Sequence, residues 1–282
     1  MSVKIVVDSS LNIPAALLQE LGITVIPVSV AIDNRTFREG VDASRSELVQ
    51  LIAKAERVTT SQPAPGDFLA VYDALQGEVV SIHVTAKASG TCQTAQIAAD
   101  MSQLATVKVL DSASASLGGG WLAIAAALAA KRGSSLAEIE ALVEEAKGAS
   151  AIYMSVPTLK YLEKSGRVNF AKAVIASLLS VKPVMHFQDG LVEVISKARS
   201  MQSAVKEMVN LLVERYGSEP LAVAVMHAED EELGQHLQDA LRENLNVGYE
   251  VLTDLTASLV VHGGPGSIAV AVLPLRFLRD LA

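Results

Sequence analysis

The stretch VVSIHVTAKASGTCQTAQIAA, residues 79–99, decides how the chain is read. Val79 to Val84 is a β-branched, apolar run of the length of a central parallel strand. Ser89, Gly90 and Thr91 follow as a tight polar turn, and a helix then begins with apolar residues at Ala95, Ile97, Ala98 and Met101. Two hydroxyls and a glycine therefore stand at a helix N-terminus, where unpaired N–H groups and the helix dipole favour an anion. A carboxylate or a phosphate suits such a turn; Ser89 can equally serve as a plain cap.

Working outward, strands alternate with helices through the first half. Lys4–Asp8 is a strand ending in an acid, Pro14–Leu21 a helix with Asn12 as its cap, and 23–30 an apolar strand. Ser44 with Glu47, and Ser135 with Glu138, have capping-box spacing. The prolines of TTSQPAPG, 59–66, predict an irregular, rigid loop that displays polar side chains. Val107–Leu110 is another strand ending beside an acid, Asp111, and Gly118–Gly120 precede an Ala-rich helix over 121–131. The triple glycine matches no phosphate-binding signature and is read as close helix packing. This alternation predicts a doubly wound parallel sheet.

Near residue 150 the pattern changes. Ile152–Val156 is a strand, 159–164 a short helix, 167–169 an exposed turn and 171–179 a helix. Asp189-Gly190 joins two apolar runs as a β-hairpin. Helix 203–216, strand 221–227 and late strands at Val251 and 258–262 complete a second α/β layer whose sheet is mixed and partly antiparallel. The expected division is two α/β domains, 1–149 and 150–282, touching along a broad face.

Composition narrows the function. The 282 residues are half hydrophobic but only 4% aromatic, so the cores are aliphatic. A net charge of −8 excludes a nucleic-acid partner of the usual basic kind. A basic segment nevertheless runs from Lys160 to Arg199, with seven Lys/Arg against three acids. The single cysteine, Cys92, leaves no internal disulfide or cysteine metal site and is assigned to packing. No histidine pair has metal-ligand spacing, and His83 inside a strand is read as a satisfied core residue. Without a signal-peptide pattern or a long apolar span, a soluble cytoplasmic protein is the expectation.

Taken together, VVDSS (6–10), VIPVSVAIDNRTFREGVD (25–42), TSQPAPGDF (60–68), HVTAKASGTCQTA (83–95), LKYLEKSGRVN (159–169), SVKPVMHFQDG (180–190) and HGGPGS (262–267) resemble the DegV family. These proteins bind fatty acids and serve fatty acid kinase. The chain departs from the family pattern in KARS (197–200), where K-x-R-T is more usual, and in Gly263, where threonine is frequent. The resemblance implies one long-chain fatty acid held between the domains and no cofactor or metal. It places the carboxylate at Thr60, Ser89, Gly90, Thr91 and His262. It implies that Arg167 and Arg199 face the kinase or the phosphate it adds, with the acyl phosphate feeding phospholipid synthesis and transient contact with a membrane surface. The chain would then be a carrier without catalytic residues. The alternative is an acyl hydrolase or transferase with Ser89 as nucleophile and His262 as base, though Ala88-Ser89-Gly90 is not G-x-S-x-G. A third reading, a nucleotide or sugar-phosphate site, would need Asp8 and Asp111 to hold ribose or metal.

Overall fold

The computed structural model describes residues 2–166 and 181–281. The turn at 167–169 and the helix at 171–179 fall outside the described residues.

Strands β1 (Lys4–Asp8), β2 (Thr24–Ile26), β6 (Gly77–His83) and β7 (Ala105–Asp111) form a parallel sheet in the order β2-β1-β6-β7. Successive residues of β1 serve opposite faces. Ile5 and Val7 enter one hydrophobic core, while Val6 enters another with Phe68, Tyr72, Ala95 and Ala98. Helices α3 (Pro65–Leu75) and α4 (Thr91–Met101) cover that second face, and α5 (Leu117–Lys131) and α6 (Leu136–Ala149) cover the first. The sheet is doubly wound.

The apolar run 23–30 is not one strand. Pro27 lacks the N–H a ladder needs, and the chain leaves the parallel sheet there. It enters a small antiparallel sheet, β4-β3-β5, built from β3 (Ser29–Ile32), β4 (Arg35–Arg38) and β5 (Val58–Ser61). Strand β5 also corrects the expectation of irregular structure over 59–66: Thr59–Ser61 pair with β3 before Pro63 ends the run. Asn12 does not cap α1 (Ala15–Leu21). Its left-handed backbone ends a short 3-10 turn, while its amide donates to the Asp254 carbonyl and accepts from Thr256 N–H.

The second half is a six-stranded mixed sheet in the order β10-β9-β8-β13-β11-β12, where only β11 and β12 run parallel. It comprises β8 (Ala151–Ser155), β9 (Lys182–Gln188), β10 (Leu191–Ala198), β11 (Leu221–His227), β12 (Val247–Asp254) and β13 (Ile268–Pro274). Helix α7 (Lys160–Ser165) follows β8; α8 (Met201–Tyr216) and α9 (Glu231–Asn244) cover the outer face. Two further corrections belong here. The β-branched SLVVH segment is a helix, α10 (Ala257–Gly263), with Ala257, Ser258, Val260 and Val261 buried at helical spacing. The uniformly apolar IAVAVLP beyond the Gly-Gly-Pro-Gly break is the central strand β13.

Helix α5 explains the triple glycine. Its first fourteen residues are buried, and it packs on β1 and β6 on one side and β8 and β13 on the other. Trp121 Nε1 donates to the Ala271 carbonyl at 3.1 Å. A Cβ on Gly120 would stand 2.7 Å from the Leu11 carbonyl oxygen, and one on Gly119 2.7 Å from a Leu11 methyl. The glycines bring a helix between two sheets and contribute nothing to a phosphate loop.

Candidate functional site

The loops after β1, β2, β6 and β7 all open at the carboxyl edge of the parallel sheet, where strand order reverses between β1 and β6. Open α/β sheets hold their ligands at this edge. A cavity of about 220 Å³ occupies it, bounded by Ser10, Val28, Val84 and Ser116 from those loops. The facing wall comes from the mixed sheet: Ile152 and Met154 of β8, Phe187 of β9, Val192 of β10, and Ile268 and Ala269 of β13. Leu255, Leu259 and Leu162 close the sides.

The lining is largely apolar, with Ser10, Ser116, Ser155, Ser258 and Ser267 among its residues, and it carries one polar cluster. There β5 delivers Thr60, the β6–α4 turn delivers Ser89 and Gly90, and the last turn of α10 delivers His262. Thr60 Oγ1 and His262 Nε2 are hydrogen-bonded at 3.0 Å, joining residues 202 apart in sequence. Ser89 Oγ accepts from Thr91 N–H at 3.3 Å and shares a hydrogen bond with Thr91 Oγ1 at 2.8 Å. Gly90 is crowded by the Gln62 amide, 3.0 Å from where a Cβ would lie. Thr60, Ser89, Gly90 and His262 thus line the cavity, whereas Thr91 is fully buried behind Ser89. Ser61 and Gln62 also line the cavity; a reading centred on the first threonine of the loop passes over them.

The helix after the turn packs differently from expectation. Thr91, Thr94, Ala95 and Ala98 face the core, while Ile97 and Met101 are exposed. Four-residue spacing places Ile97 and Met101 on a common outward stripe.

The acids of the parallel sheet are consumed by their own surroundings. Asp8 is fully buried, accepting from Ser10 Oγ, from Val84 N–H at 3.0 Å and from His83 Nδ1 at 3.1 Å. Burial alone would raise its carboxyl. The hydrogen bonds from His83, Ser10 and Val84, with the charge of His83, outweigh burial and hold the group below its ordinary range. His83 in turn meets Ser81 Oγ at 2.7 Å, to which Tyr72 donates at 2.8 Å, so His83 is a satisfied core histidine. Asp111 accepts from Ala86 and Ala113 N–H groups. Asp8 is committed inside the core, and no cluster of metal-ligating side chains occurs among the described residues.

Cys92 lies against the Val84 carbonyl, its thiol pushed up to about 12 by burial and by the charges of Asp111 and Asp8. A thiol so held is no nucleophile at neutral pH. Ser89 and His262 share no hydrogen bond among the described residues; each is engaged by a threonine instead. Arg199 is exposed between β10 and α8 and does not line the cavity. Arg167 lies outside the described residues. Of the basic segment, Lys164 donates to the Glu56 carbonyl and Lys182 to the Pro157 carbonyl.

Fold and site together define a mixed α/β protein with a largely apolar cavity at the carboxyl edge of its parallel sheet and a Thr60–His262 pair on the cavity wall. A family model described as "Uncharacterised protein, DegV family" matches residues 2–275, and the chain belongs to the DegV family. It is 31% identical over 275 residues to a DegV domain-containing protein of Streptomyces coelicolor, covering 96% of this chain and 98% of the relative. Among solved structures it is similar to a fatty-acid-binding DegV family protein of Thermus thermophilus, with 31% identity and a TM-score of 0.90 over 98% of this chain and 100% of the other. It is likewise similar to DegV of Bacillus subtilis, described as a fatty acid binding protein, with 29% identity and a TM-score of 0.89 over 97% and 99% of the two chains. No helix among the described residues is long and apolar enough to cross a membrane.

Proposed function

We propose that the chain binds one long-chain fatty acid in this cavity and carries it without performing chemistry on it. The observation that carries the reading is the Thr60–His262 pair on the wall of a largely apolar cavity. A buried carboxylate needs several donors; Thr60 Oγ1, Ser89 Oγ, the Gly90 amide and the His262 ring supply them, and Thr91, buried behind Ser89, holds that serine in place. The positive end of α4 adds to the same field. Each buried methylene contributes about 0.8 kcal/mol, so a long chain favours retention over rapid exchange with water.

A free carboxylate is inert toward most acceptors. In this reading a fatty acid kinase phosphorylates the bound carboxylate, and the acyl phosphate enters phospholipid synthesis. Arg167 and Arg199, in the basic segment 160–199, face that kinase or the new phosphate by charge complementarity. Residues 1–149 carry most of the head-group side chains, and 150–282 contribute His262 and close over the acyl chain. The protein works in the cytoplasm, with brief contacts at the membrane surface where fatty acid is exchanged.

The hydrolase alternative needs Ser89 within reach of His262, and the pairing of each with a threonine favours a carboxylate cradle instead. Titration of delipidated protein with palmitate or oleate tests the proposal. Saturable binding of one fatty acid per chain, weakened but still measurable in the His262→Ala variant, supports it; absence of binding refutes it.

A further inference from the structure

One buried acid is used by neither the fold's strand ladders nor the head-group residues. Glu39, just after β4, is 8% exposed and is hydrogen-bonded to Ser258, which lines the cavity. Its Oε1 accepts from Ser258 N–H at 2.7 Å, and its Oε2 accepts from Ser258 Oγ at 2.8 Å and Ser9 Oγ at 2.7 Å. Ser9 Oγ in turn accepts from Val28 N–H at 3.0 Å, and Glu39 N–H donates to the Val28 carbonyl. One carboxylate therefore ties the loops after β1 and β2, in the first half of the chain, to α10 in the second. Val28 and Ser258, the two residues it ties, both line the cavity.

Ser258 is the second residue of α10, and His262 stands four residues later on the same helical face. Thr256, at the N-cap position of α10, makes no side-chain cap hydrogen bond. Glu39 caps the helix from 219 residues away, through its first-turn N–H. A buried carboxylate is a costly way to join two elements, and an apolar pair of similar volume generally joins them as well or better. Its three donors also fix direction, which apolar packing does not. Burial pushes the Glu39 carboxyl above its ordinary range, and the nearby Asp8 charge adds to this against the serine hydrogen bonds.

We infer that Glu39 is a positioning residue for the carboxylate site, acting through Ser258 and α10 to hold His262 against Thr60. The inference rests on the fatty-acid reading for its affinity readout only; the placement of His262 can be read without a ligand.

The test is a double-mutant cycle on full-length delipidated protein, measuring palmitate affinity, thermal unfolding and the NMR resonances of the His262 ring. Glu39→Gln is expected to lower affinity about tenfold, the effect of losing one charged hydrogen bond. In a His262→Ala background the same substitution is expected to cost less than about twofold, because coupled residues are not additive. The His262 ring resonances shift in Glu39→Gln even without fatty acid. Ser258→Ala, which removes one of the three donors, reproduces the effect in smaller degree and serves if Glu39→Gln does not fold. Equal losses in both backgrounds, or affinity falling only in step with thermal stability, overturn the inference. So do unmoved ring resonances. A wild-type protein that binds no palmitate refutes the ligand reading instead, and the ring resonances still decide the role of Glu39.

Discussion

Thr60 and His262 meet at 3.0 Å although β5 and α10 belong to opposite halves of the chain. Both residues line the cavity, so this polar pair on its wall exists only when both halves are in place. Thr60→Val removes the hydroxyl and keeps the shape. It is expected to weaken fatty acid binding about tenfold while lowering stability by only about 1 kcal/mol, the net worth of one hydrogen bond. Calorimetric titration and thermal unfolding of the same preparation check both parts.

Ser89→Ala is expected to reduce the fatty acid that co-purifies with the protein, because its oxygen stands at the start of α4 on the cavity wall. Unchanged occupancy would remove Ser89 from the site. Arg199, exposed and away from the cavity wall, should behave in the opposite manner. Arg199→Ala is expected to leave binding intact and slow phosphorylation by a cognate kinase; a normal rate would end its assigned role.

The Asp8–His83 pair is expected to contribute to acid stability. Asp8 titrates below its ordinary range in the folded chain, so it binds a proton more readily when unfolded. Its contribution is therefore present above the unfolded value near 3.8 and is lost as pH falls through the lower folded value. Asp8→Asn should flatten this acid limb and cost about 3 kcal/mol at neutral pH, as breaking a buried pair does. Denaturant unfolding between pH 2 and 7 reads both effects, and an unchanged acid limb would assign acid unfolding to other carboxylates.

Gly120→Ala places a methyl 2.7 Å from the Leu11 carbonyl oxygen, where backbone cannot yield cheaply. A loss of about 1–3 kcal/mol is expected, seen as a lowered Tm. Gly133→Ala serves as a contrast, with open space around its Cβ but a left-handed backbone, so its smaller loss comes from conformation alone.

Cys92, with its thiol pushed up to about 12, should react slowly with disulfide reagents at pH 8 in the folded protein and fully after unfolding. Rapid modification of the native chain would contradict its burial beside Val84.

Local chemistry made much of this fold readable. Ser44 and Glu47 exchange their capping hydrogen bonds as the spacing requires, as do Ser135 and Glu138. Asp189 and Gly190 both take positive φ and make the hairpin turn that their sequence announces. What was not readable depended on distant partners. The segment 257–263 carries β-branched residues and no usable cap of its own, because Glu39 supplies the cap from another part of the chain. Strand β13 is buried on both faces and lacks alternation, so no amphipathic pattern marks it in the sequence. The TSQP, SGT and H-x-GPG segments pointed to one site, yet no local pattern placed Thr60 against His262 or tied Glu39 to Ser258. Ile97 and Met101 misled for the same reason: apolar character alone does not say which side of α4 faces the sheet.

Native mass spectrometry of the purified protein, followed by denaturation and organic extraction, tests the central claim most directly. The expected result is a non-covalent species heavier than the chain by one long-chain fatty acid, which is released on denaturation and identified in the extract. A covalent acyl increment on Ser89 would contradict the carrier reading in favour of acyl transfer. A bound nucleotide or sugar phosphate in place of the fatty acid would overturn the assignment of the cavity.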